Sequence, residues 1–223
     1  MPEARALLRP ALLPVLAAVI AAWAVLAVAP QSNFWVMWLA MAVAMMLPSA
    51  TRPLARAAQG SSARGMMFAA GFLMLWAVAG VPAWLIMRSV TWTPSWIAAV
   101  WAAAGMYQLT PVMRRHLSTC ASIDFRNDPL RYGVRQGVRC VTSCGPLMIA
   151  VSVTAMVIPQ LWLALAVLVA MTALVCWQKR VSTSPRAVAA WGLAIVLVAA
   201  VAWVVAGSGA VHHDMPSMSM SAR

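Results

Sequence analysis

The chain has 223 residues, of which 64% are hydrophobic and only 9% charged, with a net charge of +12 and a positive mean hydropathy. A soluble fold of this size cannot hide so much apolar surface, because too few polar residues remain to face water. The basic residues flank apolar runs, a pattern that suits lipid headgroups and argues against a nucleic-acid partner.

A helix needs roughly 20 mostly apolar residues to cross a hydrocarbon core. Seven runs qualify in chain order: Ala11–Ala29, Phe34–Ala50, Met66–Met87, Trp96–Met113, Val141–Ile158, Leu161–Trp177 and Ala187–Ala206. The fold class predicted is all-α, a polytopic transmembrane helix bundle. Breaks fall at "PQSN", "TRPLARAAQGSSARG" and "RSVTWTPS", and Pro159 and Gln160 turn the chain between the fifth and sixth spans. Placing the N-terminus inside puts every Lys and Arg on the cytoplasmic side except Arg88 and Arg223. That distribution predicts an N-terminus in, a C-terminus out, and residence in a bacterial inner membrane. The start, "MPEARALLRP" followed by an apolar run and "AVA", also has the form of a signal peptide, and its cleavage would leave six spans. The domain reading is residues 1–33 as an N-terminal span or signal anchor, 34–206 as the membrane-embedded domain, and 207–223 as a flexible tail.

Between the fourth and fifth spans, Asp128 and Pro129 form a helix-start signal. Arg131, Arg135 and Arg139 then recur every fourth residue beside a stripe of Leu130, Val134 and Val138. This is a basic amphipathic helix that anchors at the inner interface and runs into the fifth span. Gly133 and Gly137 within it permit close helix packing.

The spans carry no Asp, Glu, Lys or His. A proton antiporter, a bis-histidine haem protein and a retinal protein each need such residues in the membrane. Nucleophile–base pairs and glycine-rich phosphate loops are missing too, so the chain is not expected to be an enzyme.

Soft metal ligands are what remain. Met37, Met41 and Met45 follow at i, i+4 and i+8 on the second span, extended by Met46. Thioethers are neutral, suit Cu(I) and need no deprotonation, although methionine also serves simply for packing. Cys140 and Cys144 share a helix face at the inner start of the fifth span, and His116 and Cys120 repeat that spacing after the fourth. Together they offer a thiolate–imidazole site for Cu(I), or for zinc as second choice, with buried structural cysteines as the plainer alternative. Cys176 reads as packing. Disulfides are not expected on the cytoplasmic side. The tail "HHDMPSMSM" gathers His212, His213, Met215, Met218 and Met220, ligands that survive an oxidising compartment better than thiols. Its alternative is an unselected disordered terminus.

"MWLAMAVAMMLPS", "GMYQLTP" and "C-x-x-x-C-G-P-L-M" resemble a family of bacterial integral membrane proteins, a domain of unknown function predicted to bind metal and sometimes labelled copper chaperone. The resemblance covers roughly Phe34 to Arg180. It implies functional roles for Met37, Met41, Met45, Met46, Tyr107, Gln108, Thr110, Pro111, Cys120, Cys140 and Cys144. Members often carry further cysteines where this chain has His116 and Ser143. The function expected is copper handling by binding, transfer or transport, with the bilayer and a copper protein or cuproenzyme as partners. The alternative is a non-enzymatic membrane subunit or assembly factor of a larger complex, its methionines and glycines serving helix packing alone. A redox-active thiol protein is a third reading.

Overall fold

The computed structural model describes residues 12–28, 33–59, 61–113 and 128–157, and in the last third residues 165, 168–173, 175–177, 190 and 192–195. Every regular element among them is helical. They are α1 (Leu13–Val28), α2 (Phe34–Ser49), α3 (Thr51–Ala58), α4 (Ser62–Ser89), α5 (Pro94–Leu109) and α6 (Pro129–Val157). Residues 168–173, 175–177 and 192–195 are helical as well. Among the described residues, α4 and most of α6 are long and apolar enough to cross a membrane, and the bent pair α2–α3 makes a third such segment. Large apolar side chains face outward on α1, α4 and α5, among them Ile20, Val78, Leu85 and Met106.

Local chemistry sets the helix ends. The Asn33 side chain accepts a hydrogen bond from the Trp35 amide at 2.8 Å and starts α2. Asp128 accepts from the Leu130 and Arg131 amides at 3.0 and 3.1 Å, with Pro129 at the first helical position of α6. The expected start signal is therefore used. The amphipathic segment and the fifth predicted span form one unbroken helix from Pro129 to Val157.

Two expectations need correction. The second predicted span is not a plain helix: Ala42–Met46 adopts π geometry, and the axis turns by 80° between Ser49 and Thr51. Pro48 explains both. It has no amide to give to the Ala44 carbonyl, and its ring crowds that carbonyl, so the ladder opens just upstream. Ser49 Oγ then donates to the Met46 carbonyl at 2.6 Å. The segment read as a break, "TRPLARAA", is the short helix α3. It buries Leu54, Ala57 and Ala58, and the left-handed Gln59 ends it.

α4 organises the rest. On one side it meets α6 backbone to backbone. A Cβ added at Gly133 would fall on the Phe68 carbonyl oxygen, and one at Gly71 on the Leu130 carbonyl oxygen. Phe68 also packs against Tyr132, with ring centroids 5.3 Å apart. These contacts advance together along both helices, so α4 and α6 run parallel. The face of α6 that packs is Tyr132, Gly133, Gln136 and Gly137, while Leu130 and Val138 of the expected anchor stripe point outward.

On its other side α4 holds α2. Trp38 Nε1 donates to the Trp76 carbonyl at 2.7 Å, and the Trp35 and Trp38 rings lie over Gly80, leaving no room for a side chain there. Here the pairing runs in reverse order, so α2 is antiparallel to α4. α5 is antiparallel to α6, joined by Trp101 to Thr154 and Tyr107 to Thr142.

Gly133→Ala drives a methyl into the Phe68 backbone and is expected to lower the melting temperature of the purified chain by at least about 5 °C. Gly145→Ala, whose Cβ would meet only Val141 Cγ1 at 3.9 Å, serves as the control and leaves it nearly unchanged. Equal melting of the two variants in a fluorescence thermal scan would refute the glycine contact.

Candidate metal centre

The methionine stripe of α2 is wholly internal: Met37, Met41, Met45 and Met46 are all buried. The π turn matters to this. In a π turn the residue one turn on is i+5, so Met46 is carried round toward the azimuth of Met41. A regular α-helix would set Met46 about 100° away from Met45, toward a different neighbour.

α6 supplies the opposing ladder. Cys140, Cys144, Met148 and Ser152 follow at every fourth residue, and all are buried. Its two ends touch α2. The Cys140 thiol donates to Met46 Sδ, with the two sulfurs 4.0 Å apart, and the Ser152 hydroxyl reaches Met41 Sδ at 3.9 Å. Cys144 and Met148 occupy the two turns between these contacts. A thioether stripe on one helix and a thiol–thioether ladder on the other thus meet at two contacts and form one buried seam.

The seam's geometry suits a soft ion. Two sulfurs 4.0 Å apart share one ion at about 2.3 Å per bond if the angle at the metal is about 120°, a trigonal arrangement. Among the described residues there is no group of three or more His, Cys, Asp or Glu able to hold a metal. Donors at the seam are therefore two thiols and several thioethers, which disfavours hard cations such as Mg²⁺ and Ca²⁺. Charge decides further. A monovalent ion with one thiolate is neutral, and a neutral complex avoids the large cost of an unpaired charge in an apolar interior.

The turn of α6 that carries Cys144 is held by side chains of α5. Pro146 cannot donate an amide to the Thr142 carbonyl, which would leave that acceptor without its helical partner. Tyr107 Oη donates to it instead, at 2.8 Å. Gln108 Nε2 donates to the neighbouring Ser143 carbonyl at 3.4 Å. Thr110 Oγ1 closes α5 on the Tyr107 carbonyl at 2.7 Å. "YQLT" and "CGP" are thus two halves of one backbone repair. Ser143 Oγ lies 3.2 Å from the Cys140 carbonyl and 3.5 Å from Cys144 Sγ, so its hydroxyl sits between the two cysteine turns.

Six of the predicted ligands, Met37, Met41, Met45, Met46, Cys140 and Cys144, are therefore gathered in this core. His116, Cys120, His212, His213, Met215, Met218 and Met220 lie outside the described residues. Cys176 is partly exposed and is not fully enclosed packing. Sequence reasoning missed Met148 and Ser152, although the fourfold spacing from Cys140 was the signal that could have found them. It also missed Gln136, one turn before Cys140, which is 5% exposed and whose Oε1 has no hydrogen-bond partner among the described residues.

These features define a class: an all-helical, strongly apolar protein with a buried seam of thiols and thioethers. The family described as PpoB2, copper chaperone, matches residues 35–204, and the chain belongs to it. No curated protein and no solved structure matches the chain. The matched region includes both sides of the seam, and a role in copper handling follows from the family.

Tyr107→Phe removes the donor that replaces the Pro146 amide and costs about 1 kcal/mol, because a half-buried carbonyl loses its partner. The expected readout is a lowered thermal midpoint in detergent. An unchanged midpoint would mean that the Thr142 carbonyl finds another donor and that Tyr107 does not secure this turn.

Proposed function

We infer that this chain is a multi-pass membrane copper chaperone that binds Cu(I) at the seam between α2 and α6 and hands it to a copper protein. The observation that carries the reading is the Cys140–Met46 sulfur pair in a core without carboxylates. Thiolate and thioether donors together favour Cu(I) over Zn²⁺, for which thioethers are poor ligands. Loading exchanges one thiol proton for Cu⁺ and adds no net charge to the interior.

In this reading the chain crosses a bacterial inner membrane seven times, with its N-terminus inside and its C-terminus outside. The asymmetry of Lys and Arg between alternate loops supports this, and so do the alternating directions of α2, α4, α5 and α6. The thiol end of the seam then faces the cytoplasm, beside α3, where the Arg56 guanidinium lies near the Tyr132 hydroxyl. The tail bearing His212, His213, Met215, Met218 and Met220 collects copper outside. His116 and Cys120 extend the site at the inner surface. Copper flow in the reverse direction uses the same ligands. The role is binding and transfer without chemistry on an organic substrate, so the protein is not an enzyme.

Metal analysis of the purified chain tests this. Wild type is expected to retain Cu(I) in near-stoichiometric amount, with a sulfur-dominated X-ray absorption spectrum. Substituting Met41, Met45 and Met46 by Leu, or Cys140 and Cys144 by Ser, should each weaken retention at least tenfold. Replacing the five tail ligands by Ala should lower total bound copper without changing the seam's spectrum. Copper content in both core variants equal to wild type would sink the seam as the binding site.

A further inference from the structure

The seam is not uniform along its length. At one end are Cys140, Cys144 and Met46, with the Ser143 hydroxyl between the two cysteine turns. At the other end are Met148, Met41 and the Ser152 hydroxyl, with no thiol. Met148 is buried, lies one helical turn beyond Cys144, and gives its carbonyl to Ser152 Oγ at 2.8 Å. That same hydroxyl reaches Met41 Sδ at 3.9 Å. Met148 therefore lies between the two places where α6 touches the methionine stripe.

We propose that Met148 and Met41 form a second Cu(I) station, built of thioethers only, next to the thiolate station at Cys140, Cys144 and Met46. This rests on the copper reading above and adds an order of events to it. The two stations are about 6 Å apart, the rise of one helical turn from Cys144 to Met148. Movement between them exchanges ligands one at a time: the bond to Cys144 Sγ gives way to one to Met148 Sδ, the bonds to Cys140 Sγ and Met46 Sδ then break as one to Met41 Sδ forms, and copper stays Cu(I) throughout. The thiolate stays behind as a counter-charge and takes a proton from water once the ion has left.

Charge sets which station is occupied at rest. Cu⁺ with one thiolate is neutral, whereas Cu⁺ among thioethers keeps its full charge in an apolar core. Copper rests at the cysteines and passes through the thioether station. The one proton of the Ser152 hydroxyl serves the Met148 carbonyl at 2.8 Å, and its oxygen packs against Met41 Sδ at 3.9 Å.

The test is made in the full chain with the five tail ligands replaced by Ala and Cys120 by Ser, so that Cu(I) bound elsewhere does not mask the result. Cu(I) affinity is measured by competition with a colorimetric Cu(I) chelator, and coordination by X-ray absorption. In this background Cys140→Ser with Cys144→Ser should leave one Cu(I), bound at least a hundredfold more weakly and with thioether sulfur as its ligands. Adding Met148→Leu, which conserves volume, should weaken that residual binding at least tenfold more, and Met41→Leu should do the same independently. If the parent chain loads Cu(I) but the double cysteine variant holds none, or if its residual binding ignores both methionine substitutions, the second station is overturned and the copper reading stands. A parent chain and wild type that both fail to bind Cu(I) would overturn that reading itself.

Discussion

The close contact between α4 and α6 is the constraint on which the rest depends. Glycines at 71, 133 and 137 let the two backbones approach until carbonyl oxygens occupy the space where side chains would be. In a chain this apolar, whose outward faces also carry large apolar side chains, tight van der Waals packing of small residues carries more of the load in setting which faces meet. Once α6 is set against α4, its cysteine ladder has a fixed azimuth. α2 is set against the same helix by the Trp38 hydrogen bond and the rings over Gly80. α4 thus brings together two helices that are far apart in sequence, and their facing stripes close into the seam.

Proline gives the seam its shape. Pro48 and Pro146 each lie inside a hydrophobic helix, and each removes an amide that a carbonyl four residues earlier would use. At Pro48 the chain answers with a π turn and the Ser49 hydroxyl. At Pro146 it answers with Tyr107 from α5. Both repairs fall beside the sulfur donors. Non-helical or strained backbone in an apolar setting persists only where protein groups satisfy it, and here those groups are the hydroxyls of Ser49 and Tyr107. Tyr107 and Gln108 have no sulfur to offer copper. Their place is to hold the turn of α6 on which Cys144 sits.

Much of this was legible before any coordinates. The Met37–Met41–Met45 spacing announced one buried face, and the Cys140–Cys144 spacing another. The Asp128–Pro129 start and the close packing of Gly133 and Gly137 were also readable, because caps and small-residue steps act within one or two turns. The π turn was not. Its cause, Pro48, is plain in the sequence, but whether a proline kinks, breaks or widens a helix depends on what packs around it. The short helix α3 was passed over because a two-turn segment with a proline and two arginines looks like a loop until Leu54, Ala57 and Ala58 find a core to enter. Met148 was overlooked for a related reason: a methionine in an apolar helix has no signature of its own.

Composition and spacing by themselves determined that the chain is helical, that its donors are soft, and which face of each helix carries them. These are consequences of hydropathy and helical period, which each segment holds independently of its neighbours. Only the tertiary structure decided that the methionine face of α2 meets the cysteine face of α6, that Met46 pairs with Cys140 and Met41 with Ser152, and that Tyr107 serves the carbonyl Pro146 leaves unpaired. Those are relations between segments 35 to 111 residues apart, fixed by how closely glycine lets α4 and α6 approach and how two tryptophans dock α2. No local pattern encodes that distance.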